Sequence, residues 1–151
     1  MPKTLLAVSH LRQRAEADCV PVCAQMVLAY LGRAESYERL AEVLGTRWFG
    51  TPSENVSRLE RLGLRVTLAE LPLADIIRHL ESGRPVIAFV NTADLPYWAT
   101  ATDHALVVIG ADEQTVYLND PYFPDAPRQA PHAAFELSQL RFDNRCAVIE
   151  V

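Results

Sequence analysis

The sequence is poor in the features that mark several classes of protein. It has three cysteines in 151 residues, Cys19, Cys23 and Cys146, and so odd and low a count gives no disulfide framework. Cys19 and Cys23 stand four apart, match no common zinc spacing and have no second Cys or His pair nearby, so no metal site and no cofactor is expected. Basic residues are in the minority, 14 Lys plus Arg against 19 Asp plus Glu for a net charge of −5. That argues against a nucleic-acid partner, which wants a basic face. No apolar run approaches the roughly 18 residues of a membrane-spanning helix. The N-terminal Met1-Pro2-Lys3-Thr4-Leu5-Leu6-Ala7-Val8 meets Ser9-His10-Leu11-Arg12 at once and is too short for a signal-peptide core. There are no repeats and no low-complexity segment. The expectation is a soluble, reduced, cytoplasmic protein.

The length leaves no room for a second full core, so one domain over residues 1–151 is expected. Half the residues are hydrophobic and 22% are charged, enough apolar surface to offset the entropy of ordering. The charge is uneven. Residues 1–75 carry nine basic and nine acidic residues, whereas residues 76–151 carry five and ten, so the whole −5 lies in the second half. A substrate meeting that half is expected to be neutral or basic.

The first half is helical by period. Asp18 is a suitable N-cap for a helix from Cys19 to Leu31, with Pro21 tolerated in its first turn and Gly32 at its end. The helix is apolar nearly all round and should be buried. Shorter helices fit Tyr37–Leu44, between Ser36 and Gly45, and Pro52–Leu62, where Thr51, Pro52 and Glu54 suggest a capping box and Gly63 a stop. Leu64–Leu68 then alternates like a strand, and Leu73–Glu81 reads as a helix ended by Ser82-Gly83. Three β-rich runs follow, Pro85–Val90, His104–Ile109 and Thr115–Asn119, the last two joined by a hairpin-length connection. A Pro-rich loop over 121–131, a short helix over Ala134–Leu140 and a closing strand over Ala147–Val151 complete the reading. Helices first and an antiparallel sheet second is an α+β pattern, with a helical lobe over about 1–63 and a sheet lobe over 64–151.

Cys19 is placed in the first turn of the long helix. Free N–H groups and the positive dipole end favour an anion there, hence the thiolate. The competing reading is a small buried apolar residue, which also suits Cys23 and Cys146. A thiolate nucleophile needs a base and a group that orients the base. Of the histidines His10, His79, His104 and His132, His104 alone opens the most apolar strand. Asp120 ends the next one. If the two strands pair as a hairpin, both residues come to the same edge of the sheet, where an imidazole and its orienting carboxylate belong. Plain turn chemistry at Asp120-Pro121 is the alternative. Gln13, six residues before Cys19, is placed to fold over the helix start and donate to an oxyanion with the Cys19 N–H, or else to lie in solvent. Tyr97 and Trp98, just before His104, are candidate substrate contacts in the cleft, or packing over the sheet edge.

The run Gln13, Asp18-Cys19 and Met26 to Gly32 resembles the start of the bacteriocin-processing peptidase domains of peptide-exporting ABC transporters, which are papain-like cysteine peptidases. His104 with Val107-Val108 and Gly110, then Asn119-Asp120-Pro121, resembles the family's His and Asp blocks. Ala41 to Thr51, Gly63-Leu64 and Pro85 to Ala88 fit its middle. The resemblance implies a papain-like fold with a nucleophile lobe and a sheet lobe. It implies Cys19 as nucleophile, His104 as general base and acid, Asp120 as orienter and Gln13 in the oxyanion hole. In the transporter-linked members the substrate is a leader peptide cut after a Gly-Gly pair. Many relatives carry Gly directly after the nucleophile, where this chain has Val20. No transporter accompanies the peptidase unit, so a stand-alone peptidase is expected, acting on a peptide or protein substrate, with a separate transporter or other operon partner. The same triad also suits an acyltransferase or deamidase, and the fold suits a non-catalytic peptide-binding module.

Overall fold

The apolar runs of the second half form the middle of an antiparallel sheet. The computed structural model of the chain describes residues 3–151; Met1 and Pro2 of the N-terminal run lie outside the described residues. Among those residues there are seven strands: β1 (Thr4–Leu5), β2 (Arg65–Glu70), β3 (Val86–Asn91), β4 (Asp103–Ala111), β5 (Thr115–Asn119), β6 (Arg128–Pro131) and β7 (Arg145–Glu150). Their order is β2-β7-β3-β4-β5-β6, with β1 also paired to β4, and every pairing is antiparallel. Four α-helices accompany them: α1 (Cys19–Tyr30), α2 (Tyr37–Leu44), α3 (Leu73–Glu81) and α4 (His132–Gln139). The architecture is the expected α+β one. Most element ends moved by one or two residues, as strand and helix ends commonly do.

The sheet is covered on both faces, which explains why its central strands read as unbroken apolar runs instead of alternating ones. Ile87 and Phe89 of β3, Ala105, Val107 and Ile109 of β4, and Ala147 and Ile149 of β7 pack in one core with α1 and α2. Their sequence neighbours Ala88, Val90, Leu106, Val108, Cys146 and Val148 pack in the other, with Ile76 and Leu80 of α3 and Phe135 of α4. The period-two side-chain alternation of a strand divides the residues between the layers. Helix α1 lies against β4 with Val20, Val22, Cys23, Ala24, Met26, Val27 and Leu28 all buried. Burying each of the Val, Leu and Met side chains contributes roughly 1.5–3 kcal/mol. Gly32, at φ 76°, takes the left-handed conformation that ends it.

Four expectations need correction. Ser53–Leu62 is a 3-10 helix, not an α-helix. Its apolar residues Val56, Leu59 and Leu62 recur every third position, which matches three residues per turn. The capping box does not form, because the Thr51 hydroxyl is paired with that of Thr46 at 2.6 Å. The Pro-rich loop contains β6, an edge strand that pairs with β5 from Thr115↔Pro131 to Leu118↔Arg128; Pro127 and Pro131 hid it, and proline is tolerated at such an edge. Finally, the N-terminal segment belongs to the sheet, since Thr4 and Leu5 pair with Ala111 and Gly110. A Cβ on Gly110 would lie 2.3 Å from the Thr4 carbonyl oxygen, so only glycine lets β1 approach this closely.

Candidate active site

The β4–β5 hairpin, with Val107 opposite Asn119 and Val108 opposite Leu118, brings His104 and Asp120 to one edge. His104 Nε2 lies 2.7 Å from Asp120 Oδ1, with side chains 4% and 0% exposed. Three more donors reach the same carboxylate. The Tyr122 N–H donates to Oδ1 at 3.1 Å, and Tyr97 Oη and Trp98 Nε1 each donate to Oδ2 at 2.8 Å. Burial works against ionisation of Asp120, but the His104, Trp98 and Tyr122 bonds outweigh it and hold the carboxyl below its ordinary range. Burial also works against charge on His104. The hydrogen bond and negative charge of Asp120, with the nearby Cys19 sulfur, outweigh that and raise the imidazole from 6.5 to about 9.

Cys19 is the first residue of α1 and only partly buried. It shares with His104 a cleft of about 230 Å³ between the helical layer and the sheet, walled by Phe49, Thr51, Phe89 and Phe142. Since His104 Nε2 faces Asp120, Nδ1 is the ring nitrogen left for the thiol. The other two thiols are different. Burial pushes Cys23 well above its ordinary value. It pushes Cys146 up to about 12, against the bond from Gln139 Nε2 at 3.2 Å. Only Cys19 opens to the cleft.

Gln13 lies in a second, smaller hollow of about 130 Å³ beside His104, Trp98 and Tyr122. Its backbone N–H donates to the Pro121 carbonyl at 2.7 Å, fastening the N-terminal loop to the residue after Asp120. Its side-chain Nε2 donates to the carbonyls of Ala15 at 2.8 Å and Glu16 at 3.3 Å. Its Oε1 is buried without a partner among the described residues. Asp18 differs from expectation. It makes no side-chain cap to α1; its carboxylate accepts the Ala15 N–H at 3.0 Å and the Tyr37 hydroxyl at 2.5 Å. Burial, and then that bond, push the Tyr37 hydroxyl up to about 12. Asp18 therefore ties the loop before Cys19 to the start of α2.

The structure thus groups Cys19 with His104, His104 with Asp120, and Gln13 with His104 and Trp98. Tyr97 lines neither hollow; its hydroxyl is spent on Asp120. Sequence reasoning missed the Phe49 to Ser53 wall, although Trp48-Phe49 ahead of Gly50-Thr51-Pro52 is a readable aromatic turn, with Trp48 89% exposed. Phe142 carried no sequence signal. Among the described residues no group of three or more His, Cys, Asp or Glu is placed to hold a metal, and no helix is long and apolar enough to cross a membrane.

The model of the peptidase C39-like family matches residues 5–145. The chain belongs to the peptidase C39-like family. As a C39-like protein it is a cysteine peptidase, a hydrolase. Its fold is shared with a protein described as a C39-like peptidase from Bacillus anthracis, at TM-score 0.84 and 15% identity, covering 100% of this chain and 98% of that one. It is shared with the peptidase domain of Streptococcus ComA, a bi-functional ABC transporter of a quorum-sensing pathway, at TM-score 0.77 and 17% identity over 95% and 98% of the two chains. It is also shared with a double-glycine-motif protease of an AMS/PCAT transporter, bound to its leader peptide, at TM-score 0.76 and 19% identity over 97% and 93%. No curated protein sequence matches this C39-like peptidase.

Proposed function

We propose that this C39-like peptidase cuts peptide bonds through a Cys19-His104-Asp120 triad, after small residues of a leader or propeptide. The observation that carries the reading is the position of His104, hydrogen-bonded through Nε2 to the buried Asp120 carboxylate and lining the same cleft as Cys19.

In this mechanism Cys19 Sγ attacks the scissile carbonyl carbon, forming the C–S bond and a tetrahedral oxyanion. The imidazolium of His104 gives its proton to the leaving amine as the C–N bond breaks. Water then attacks the thioester and His104 takes its proton, releasing the acid product and the Cys19 thiol. Asp120 holds the ring orientation throughout. The oxyanion is met by the Cys19 N–H at the start of α1 and by the Gln13 amide, which turns from its loop carbonyls toward the substrate. A leader-type substrate is supported by the family and by the transporter-linked relatives, one of which is bound to a leader peptide. A separate transporter is the corresponding partner.

The test is to incubate the protein and its Cys19→Ala variant with a proteome-derived peptide library and read products by mass spectrometry. Cuts after Gly or Ala by the native protein, with turnover reduced on the order of 10⁶-fold in Cys19→Ala, are expected. Undiminished cutting by Cys19→Ala contradicts the triad. Conjugates or a one-dalton shift in place of fragments point to acyl transfer or deamidation.

A further inference from the structure

The two oxygens of Asp120 have separate partners. Oδ1 meets His104 Nε2 at 2.7 Å and the Tyr122 N–H at 3.1 Å, while among the described residues Oδ2 accepts only from Tyr97 Oη and Trp98 Nε1, both at 2.8 Å. The carboxylate is wholly buried. An anion out of water needs donors in place of its hydration shell, and charge-assisted bonds from fixed donors are the strong ones. We propose that Tyr97 and Trp98 are positioning residues for the reaction: together they pin Oδ2, aim Oδ1 at His104 Nε2 and set how much negative charge the imidazole meets. This rests on the reading of His104 as the base.

Substrate contact through the polar ends of these side chains is disfavoured, because both ends are engaged by Asp120. Their loop is built to hold them still. The Thr92 hydroxyl, fully buried, donates to the Thr100 carbonyl at 2.7 Å and accepts the Thr102 N–H at 2.9 Å, closing the loop at its base. Leu95, 1% exposed, anchors its middle in the core, and the Trp98 N–H donates to the Leu95 carbonyl at 3.2 Å. The rings then cover the pair. Trp98 lies edge-on to His104, with centroids 5.1 Å apart, and against Tyr122 at 4.5 Å. The Arg128 guanidinium sits 5.7 Å from the Tyr97 ring centre. The remaining titratable groups facing the pair are Cys19 and Cys23 of α1, Glu16, Asp103, Tyr122 and Arg128, and the substitutions below leave all of them in place.

A donor on Oδ2 draws charge from the carboxylate. Removing it leaves more negative charge opposite Nε2, so the imidazolium is held more tightly. Tyr97→Phe deletes one hydroxyl and Trp98→Phe one N–H donor with part of a ring. The test reads the His104 ring titration by NMR and the alkaline limb of kcat/KM in both variants, alongside Tm. Both titration and limb are expected to move upward by roughly 0.5–1 pH unit in each variant, while Asp120→Asn moves the ring titration downward. A loss of Tm with titration and limb at the native position would overturn the proposal. So would no change in any readout. If Trp98→Phe does not fold, Tyr97→Phe decides alone. The NMR titration needs no turnover, so it decides this proposal even if the Cys19 assignment fails in the peptide-library test.

Discussion

On the sheet side of the cleft, Asp120 receives four donors, His104 is nearly sealed from solvent, and the loop that covers them is tied at base and middle. On the helical side, Cys19 is only partly buried, and Gln13 spends its amide donors on its own loop while its Oε1 has no partner among the described residues. The proposed roles account for the difference. An imidazole and a carboxylate must be set in register before substrate arrives, because a buried pair with a missing partner is costly. A nucleophile and an oxyanion donor must instead leave room for the substrate's carbonyl.

The largest effect on the sheet side is expected at Asp120. Asp120→Asn should lower kcat by roughly 10²–10⁴-fold, as loss of the orienting acid does in a triad. It should also flatten a pH dependence of stability. His104 is raised from 6.5 to about 9, so its charged pair stabilises the fold fully below the lower value, and this contribution fades as pH rises through the upper one. Denaturant titrations from about pH 6 to 10 would show that decline in the native protein and its absence in the variant. Gln13→Ala removes the helical side's side-chain donor and should reduce kcat on the order of 10²–10³-fold, with the His104 ring titration unchanged. A shift in that titration would mean the two sides are one coupled unit. The smallest effect is expected away from both. Gly110→Ala forces the added Cβ against the Thr4 carbonyl and should cost about 1–3 kcal/mol of stability by steric displacement of β1. Turnover per folded molecule should stay native, read by chemical denaturation and active-site titration.

The placement of the candidate site residues was legible where one local rule sufficed. Cys19 at a helix start between Asp18 and Gly32, and His104 and Asp120 at matching ends of two runs with a hairpin-length link, follow from period and turn residues. The central strands were legible for the same reason. What stayed hidden depends on contacts across the chain. Asp18 looks like an N-cap by type, yet Tyr37 and Ala15 claim its carboxylate. Tyr97 and Trp98 looked like exposed aromatics of a loop, and only the fold shows that their polar ends meet Asp120. β6 lay concealed among prolines because an edge strand needs only one hydrogen-bonded side. Ser53–Leu62 carries both helical end signals, and only its three-residue apolar spacing separates a 3-10 helix from an α-helix.

In the proposed mechanism His104 makes Cys19, and not Cys23 or Cys146, the reactive thiol. Iodoacetamide labelling near pH 6, read by peptide mass mapping, tests it directly. Fast alkylation confined to Cys19 is expected, with Cys23 and Cys146 untouched in the folded protein, and loss of that selectivity in His104→Ala. Slow labelling of Cys19 at the rate of an ordinary thiol, or fast labelling that survives His104→Ala, would contradict it.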